Sequence, residues 1–253
     1  MVRVVAMAKG AGPTGTSNLR PPPWRAMNKQ SGNMYPFVTH TWNPVRGCLH
    51  DCVYCYVKAL RGYDTTPRLS EKALHENLGN GNYIFVGSTS DMFGSWVPDA
   101  WILAVLDKCR GHENTYLFQT KNPVRLQTFC PLFPVKSVLA ATIETNREFP
   151  TCGVTAPPRF ERMNAMRDLR GKKMVSIEPV IDFDTEEFLV WLHAIDPELV
   201  SVGADSKHHG LPEPTPDKIS DLIGGVERFA TVIRKGNLDR LCSKPTSIRA
   251  SKY

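Results

Sequence analysis

A mixed α/β fold built around a parallel sheet is the class the sequence predicts, and three observations predict it. From Tyr35 onward, short β-type runs alternate with helix-length amphipathic segments, the signature of successive βα units. The β-type runs are near-continuously apolar, as strands covered on both faces are. At 253 residues the chain can bury a full core, and a single barrel-sized domain commonly has this length.

Taken in order, six strands are predicted, at about Phe37–Trp42, Tyr83–Gly87, Thr115–Gln119, Ser137–Thr142, Lys173–Ile177 and Leu199–Val202. Helices are expected between them. One spans Asp99–Arg110, entered after Pro98 and left at Gly111. Another spans Arg159–Arg170, after Pro157 and Pro158 and before Gly171. Thr185–Ile195 stops ahead of Pro197, and Pro216–Ala230 carries Ile219, Leu222, Ile223 and Val226 at helical spacing. No internal repeat extends beyond this βα rhythm.

The ends read differently from the middle. Residues 1–34 contain Gly-Ala-Gly-Pro-Thr-Gly and Pro21-Pro22-Pro23, too little apolar surface to fold, and are expected to form a disordered leader. The barrel domain is assigned to 35–233 and a basic tail to 234–253. Residues 1–33 carry a charge of +5 without an acid, and 234–253 another +5, so the overall +6 leaves the centre at −4. The core is therefore no basic platform, although basic ends suit phosphate. A 42% hydrophobic, 22% charged composition is that of an ordinary globular protein. No eighteen-residue apolar run and no secretory signal is present, and seven scattered cysteines fit a reducing cytosol. These features set aside membrane-spanning and disulfide-framework classes.

The chemistry concentrates in Cys48-Leu49-His50-Asp51-Cys52-Val53-Tyr54-Cys55, a C-x3-C-x2-C run. Three thiolates this close suit a soft metal or an iron–sulfur cluster. Zinc on Cys48, Cys52, Cys55 and His50 is the rival reading, weakened by the absence of two separated ligand pairs. Cys109, Cys130, Cys152 and Cys242 show no ligand spacing to one another, which argues against an auxiliary cluster.

Each predicted strand ends in polar residues, where barrels place their chemistry. Strand two ends in Gly87-Ser88-Thr89-Ser90-Asp91, whose glycine lets backbone approach closely and whose Ser90 and Asp91 offer acceptors to an ammonium. The same residues also make an ordinary turn or helix cap. Strand three ends in Thr120-Lys121-Asn122-Pro123, where Lys121 suits a carboxylate or is a surface lysine ahead of a Pro-capped helix. In strand four Thr142 and Glu144 alternate and so share a face. Glu178, an acid within a β-type run, is costly unless paired or wet and is read as a site residue. After strand six, Asp205 is a stronger candidate than His208 or His209.

The cysteine spacing, with Tyr54 before the third cysteine, resembles the radical S-adenosylmethionine superfamily. That resemblance implies a partial (β/α)6 TIM-like barrel, a [4Fe–4S] cluster on Cys48, Cys52 and Cys55, and S-adenosylmethionine on the remaining iron. Reductive cleavage would give a 5′-deoxyadenosyl radical that abstracts hydrogen from substrate, in an oxygen-sensitive enzyme supplied by an external donor of flavodoxin or ferredoxin type. It further implies that the Tyr54 backbone meets the adenine edge and that Gly87, Ser88, Ser90 and Asp91 hold the methionine amino group. Lys121 would hold its carboxylate, as in the branch containing spore photoproduct lyase, and Thr142 and Glu144 would serve the ribose. Glu178 and Asp205 would face cofactor or substrate as the catalytic pair. More narrowly, Thr39-His40-Thr41-Trp42-Asn43-Pro44, Gly87 to Phe93, Thr120 to Pro123 and Ser176 to Pro179 resemble uncharacterised, often phage-associated radical enzymes. By association that suggests a modified nucleotide or nucleic-acid base as substrate. A small molecule or peptide substrate, or a non-catalytic iron–sulfur or zinc module, remain the alternatives.

Overall fold

The structure is a computed structural model that describes residues 27–29, 34–60, 62, 64–153 and 155–242. Most of the expected leader and residues 243–253 of the expected tail lie outside the described residues. Among the described residues ten strands form: β1 (Asn28–Lys29), β2 (His40–Trp42), β3 (Val45–Arg46), β4 (Arg68–Leu69), β5 (Tyr83–Val86), β6 (Thr115–Thr120), β7 (Ser137–Thr142), β8 (Lys172–Ile177), β9 (Leu199–Val202) and β10 (Thr231–Arg234). The helices are α1 (Glu71–Leu74), α2 (Asp99–Arg110), α3 (Pro123–Phe129), α4 (Arg159–Asp168), α5 (Thr185–Ile195), α6 (Pro216–Val226) and α7 (Asp239–Cys242).

Eight strands make one sheet in the order β1-β2-β5-β6-β7-β8-β9-β10. From β2 to β10 every neighbouring pair is parallel, and β1 adds to β2 antiparallel. Six of the seven parallel strands are those the sequence predicts. The seventh, β10, corrects the six-unit expectation: α6 ends at Val226 rather than Ala230, and Thr231–Arg234 pairs with β9. Among the described residues no pairing joins β10 back to β2, so the sheet is open between them.

Alternation along the parallel strands explains both their apolar runs and the location of the site. Ile84, Val86, Tyr116, Phe118, Leu139, Ala141, Val175 and Ile177 pack outward under the helices in the larger core. Their neighbours Phe85, Leu117, Val138, Ala140 and Met174 pack on the other face with Tyr35 and Val38 in a second cluster. Each fully buried side chain of this kind contributes about 1.5–3 kcal/mol. Further along that second face the residues turn polar: Gln119, Thr142, Ser176 and Ser201, then Lys121, Glu178 and Lys235. An apolar floor thus lies under a polar mouth at the carboxyl ends of the strands.

Candidate active site

The cysteine loop leaves and returns through the β3–β4 ribbon, in which Val45 pairs with Leu69 and Arg46 with Arg68. Gly47 turns the chain out at φ +78, and a Cβ there would lie 2.2 Å from the Thr66 carbonyl oxygen, so only glycine passes. The loop then folds over the strand ends, and Cys48, Cys52, Tyr54 and Cys55 line a cavity of about 480 Å³. The same cavity is lined by Ser90, Asp91, Gln119, Lys121, Thr142, Glu178, Asp205 and Lys235. Sequence-distant residues predicted from motif position are therefore brought to one space, with one exception.

That exception is Glu144. It is fully buried behind the wall, where Arg159 Nε and Arg162 Nη1 reach its Oε2 at 3.1 and 3.2 Å. The Tyr54 hydroxyl donates to its other oxygen, and Lys121 Nζ lies 4.0 Å from that oxygen. Burial works to raise this carboxyl, but Arg162, Lys121 and Arg159 outweigh it and hold it at about 2. Glu144 anchors Tyr54 of the loop to α4 and does not line the cavity.

Asp91 is the second anchor. It accepts from His50 Nε2 at 2.8 Å, from the Thr120 hydroxyl at 2.7 Å and from the Lys121 and Phe93 amides at 2.8 and 3.0 Å. Burial again opposes the charge, but these donors, His50 first, keep the carboxyl at about 2. The other ring nitrogen of His50 lies 3.2 Å from the Thr155 hydroxyl, so the imidazole links Asp91 to Thr155 across the loop.

The Gly87–Asp91 turn follows β5. Gly87 sits at φ +78 and donates its amide to the Trp42 carbonyl at 2.8 Å. Asn43 Oδ1 accepts from the Ser88 hydroxyl and from the Thr89 amide and hydroxyl at 3.0–3.2 Å, and the Ser90 hydroxyl donates to the Val45 carbonyl at 2.6 Å. Lys121 Nζ stands 5.3 Å over the Tyr54 ring. Burial alone would lower its ammonium, but Cys52, Glu144 and Cys152 raise it.

The other half of the cavity joins Glu178 and Asp205, which the sequence marked, to Tyr35 and Lys235, which it did not. The Tyr35 hydroxyl donates to Gln119 at 2.7 Å and lies 3.1 Å from the Ser176 hydroxyl, and Gln119 donates to Thr142 at 3.1 Å. Lys235, counted in sequence among the charges of the tail, follows β10, is buried, and stands 4.4 Å over the Tyr35 ring. Its Nζ is 3.7 Å from Glu178 Oε2, whose partner oxygen accepts from the Ser201 hydroxyl at 2.5 Å. Burial pushes the Glu178 carboxyl up and the Lys235 ammonium down, each partly offset by the other. Asp205 is buried and spends its oxygens on its own loop, accepting from the Lys207 amide at 3.1 Å and pairing with His209 Nδ1 at 2.7 Å. His209 lines the cavity, whereas His208 is exposed at φ +54.

The three loop thiols fit a thiolate-ligated cluster by donor type and by their common cavity. Burial and Asp91 push the Cys48 thiol up to about 11, a cost that a bound cation would reverse. Among the described residues no three Cys, His, Asp or Glu side chains already converge on one point, and Cys52 Sγ lies 3.0 Å from Cys152 Sγ.

Comparison with known proteins agrees on the fold. No curated protein matches the sequence. Among solved structures, one mutant of spore photoproduct lyase superposes with a TM-score of 0.61 at 12% identity, over 81% of this chain and 79% of that one. A second mutant gives 0.60 at 14%, over 82% and 80%. A third, with bound AdoMet and dinucleoside spore photoproduct, gives 0.60 at 12%, over 80% and 78%. The chain shares their mixed α/β architecture with a mostly parallel sheet. A family model described as "Protein of unknown function (DUF5131)" matches residues 34–209, well over half of the sequence, and the chain belongs to that family.

Proposed function

We propose that this protein is a radical S-adenosylmethionine enzyme acting on a nucleotide or nucleic-acid base. The observation that carries the reading is the C-x3-C-x2-C loop opening onto the same cavity as the polar strand ends. The likeness to a lyase with bound AdoMet and a dinucleoside photoproduct supports it. When bound, a cluster and S-adenosylmethionine supply one-electron cleavage of the sulfonium and a hydrogen-abstracting 5′-deoxyadenosyl radical.

The protein's own residues bind and position. Cys48, Cys52 and Cys55 would hold the cluster. Ser90 donates its own proton to Val45, so its lone pairs are left to accept from an ammonium group, and Gly87 and Ser88 shape the turn around it. Asp91 acts by fixing His50 and the Lys121 backbone rather than by direct contact. Lys121, kept cationic, would meet the methionine carboxylate. The backbone of Tyr54 and the Thr142 hydroxyl would border the nucleoside. Across the cavity Gln119, Glu178, Asp205 and Lys235 would face the substrate. Glu178 and Lys235, whose proton affinities burial drives toward each other, are poised to hold or pass a proton between Oε2 and Nζ. Leu49, Val53, Tyr56 and Leu60 expose apolar surface beside the loop, which suits docking of an electron donor of flavodoxin or ferredoxin type. An oxygen-sensitive centre fits a cytoplasmic setting.

The test is anaerobic reconstitution with iron and sulfide, followed by dithionite and S-adenosylmethionine and assay of 5′-deoxyadenosine. Formation by the native chain and loss in Cys55→Ala is the expected result; zinc in place of iron would end the reading. Substrate class is tested by binding to DNA or RNA across a salt series, where a nucleic-acid ligand weakens as salt rises.

A further inference from the structure

Cys152 has no part in the function above, yet the chain delivers it to a loop cysteine. Val53 N–H donates to the Thr151 carbonyl at 2.9 Å and Gly153 N–H donates to the His50 carbonyl at 2.6 Å. These bonds tie the backbone on either side of Cys152 to the loop on either side of Cys52, and the two Sγ atoms lie 3.0 Å apart. The approach is held from both sides. A Cβ at Gly153 would stand 3.2 Å from the His50 carbonyl oxygen, and Arg159 Nη2 fixes the Thr151 hydroxyl at 2.5 Å. Cys48 and Cys55 have no such opposing partner among the described residues.

We propose that Cys52 and Cys152 are a site of reversible oxidation, closing to a disulfide when no cluster engages Cys52. The oxidant class is a low-molecular-weight disulfide, RSSR, reaching Cys52 through the cavity it lines. Cys52 sulfur attacks RSSR and one RSH leaves with a proton. Cys152 sulfur then attacks the Cys52 sulfur of the mixed disulfide, and the second RSH leaves. The two cysteines lose two electrons and two protons, and RSSR becomes two RSH. The cross-link forms whether or not the loop ever holds a cluster; only its consequence, that cluster loading requires prior reduction, rests on the proposed function.

The test uses the full chain, stripped of metal by an anaerobic chelator, exposed to hydroxyethyl disulfide, blocked with N-ethylmaleimide and digested with trypsin. Cleavage releases residues 47–58 with all three loop cysteines and residues 148–159 with Cys152. The expected product joins the two peptides, carries label on Cys48 and Cys55, fragments to a link at Cys52 and vanishes with dithiothreitol. A Cys48→Ser/Cys55→Ser chain gives the same link and Cys152→Ser gives none. The oxidised native chain takes up iron only after reduction. Fully labelled thiols, a link between two loop cysteines, or a Cys152→Ser chain that loses iron and changes its visible absorption would each overturn the proposal, the last by making Cys152 a ligand.

Discussion

The two halves of the cavity are built on opposite plans. On the cysteine-loop side, the anchoring groups are saturated by protein partners: Glu144 by two arginines and Tyr54, Asp91 by His50, Thr120 and two amides. On the far side, Glu178 and Lys235 are 3.7 Å apart and both line the open space. A saturated network fixes geometry and resists change, as suits holding a group of constant shape. An acid and a base that both border the open space can exchange partners with whatever enters, as suits a substrate. The difference teaches where precision is needed and where adaptability is.

Breaking the first half at its proposed ligands has the largest effect. Cys52→Ala is expected to remove bound iron and all 5′-deoxyadenosine, read by metal analysis and chromatography. Breaking its anchor comes next. Glu144→Ala leaves Arg159 and Arg162 buried without their counter-charge and is expected to cost about 3–5 kcal/mol in denaturant unfolding. Acid probes the same anchors without mutation. Glu144 and Asp91 titrate near 2 in the fold against ordinary values of 4.5 and 3.8, so their stabilisation is complete above those ordinary values. It is lost as pH falls toward about 2, on the order of 2–3 kcal/mol for each carboxylate, and unfolding midpoints between pH 5 and 2 measure it. The second half should respond in function instead. Glu178→Gln is expected to keep the native iron content but lower substrate turnover about a hundredfold or more, the range of a positioned acid or base. The smallest effect tests the opposite end of the strands: Lys172→Ala removes an exposed pair with Glu198 and should shift stability by no more than about 0.5 kcal/mol.

Much of this plan could be read from the chain before any coordinates. β7 and β9 fall where the apolar runs end, and α2 and α5 keep the bounds their flanking Pro and Gly residues set. The polar strand ends were visible too, because alternation carries each strand from floor to mouth. What stayed hidden depends on long-range pairing. β10 is four half-exposed residues with no turn signal ahead of them, so the helical pattern of α6 was carried too far. Lys235 reads as a tail charge until β10 sets it over Tyr35, 200 positions earlier. Glu144 reads as a site acid because nothing local reveals that Arg159 and Arg162, one turn apart on α4, converge on it. Cys152 has no spacing signal, since its partner is reached only through backbone pairing.

The antiparallel pairing of Asn28–Lys29 onto β2 has a consequence for how the molecule behaves in company. The outer rim of β2 would otherwise offer a row of unmet amides and carbonyls to another chain. A two-residue strand is too short to recruit a further one, and Lys29 puts a charge there. At the other rim β10 carries Arg234 and a solvent-facing Thr231. Shortening the chain to begin at Met34 would leave the cavity lining untouched and uncover a flank, so that self-association, rising with concentration, would be the first symptom.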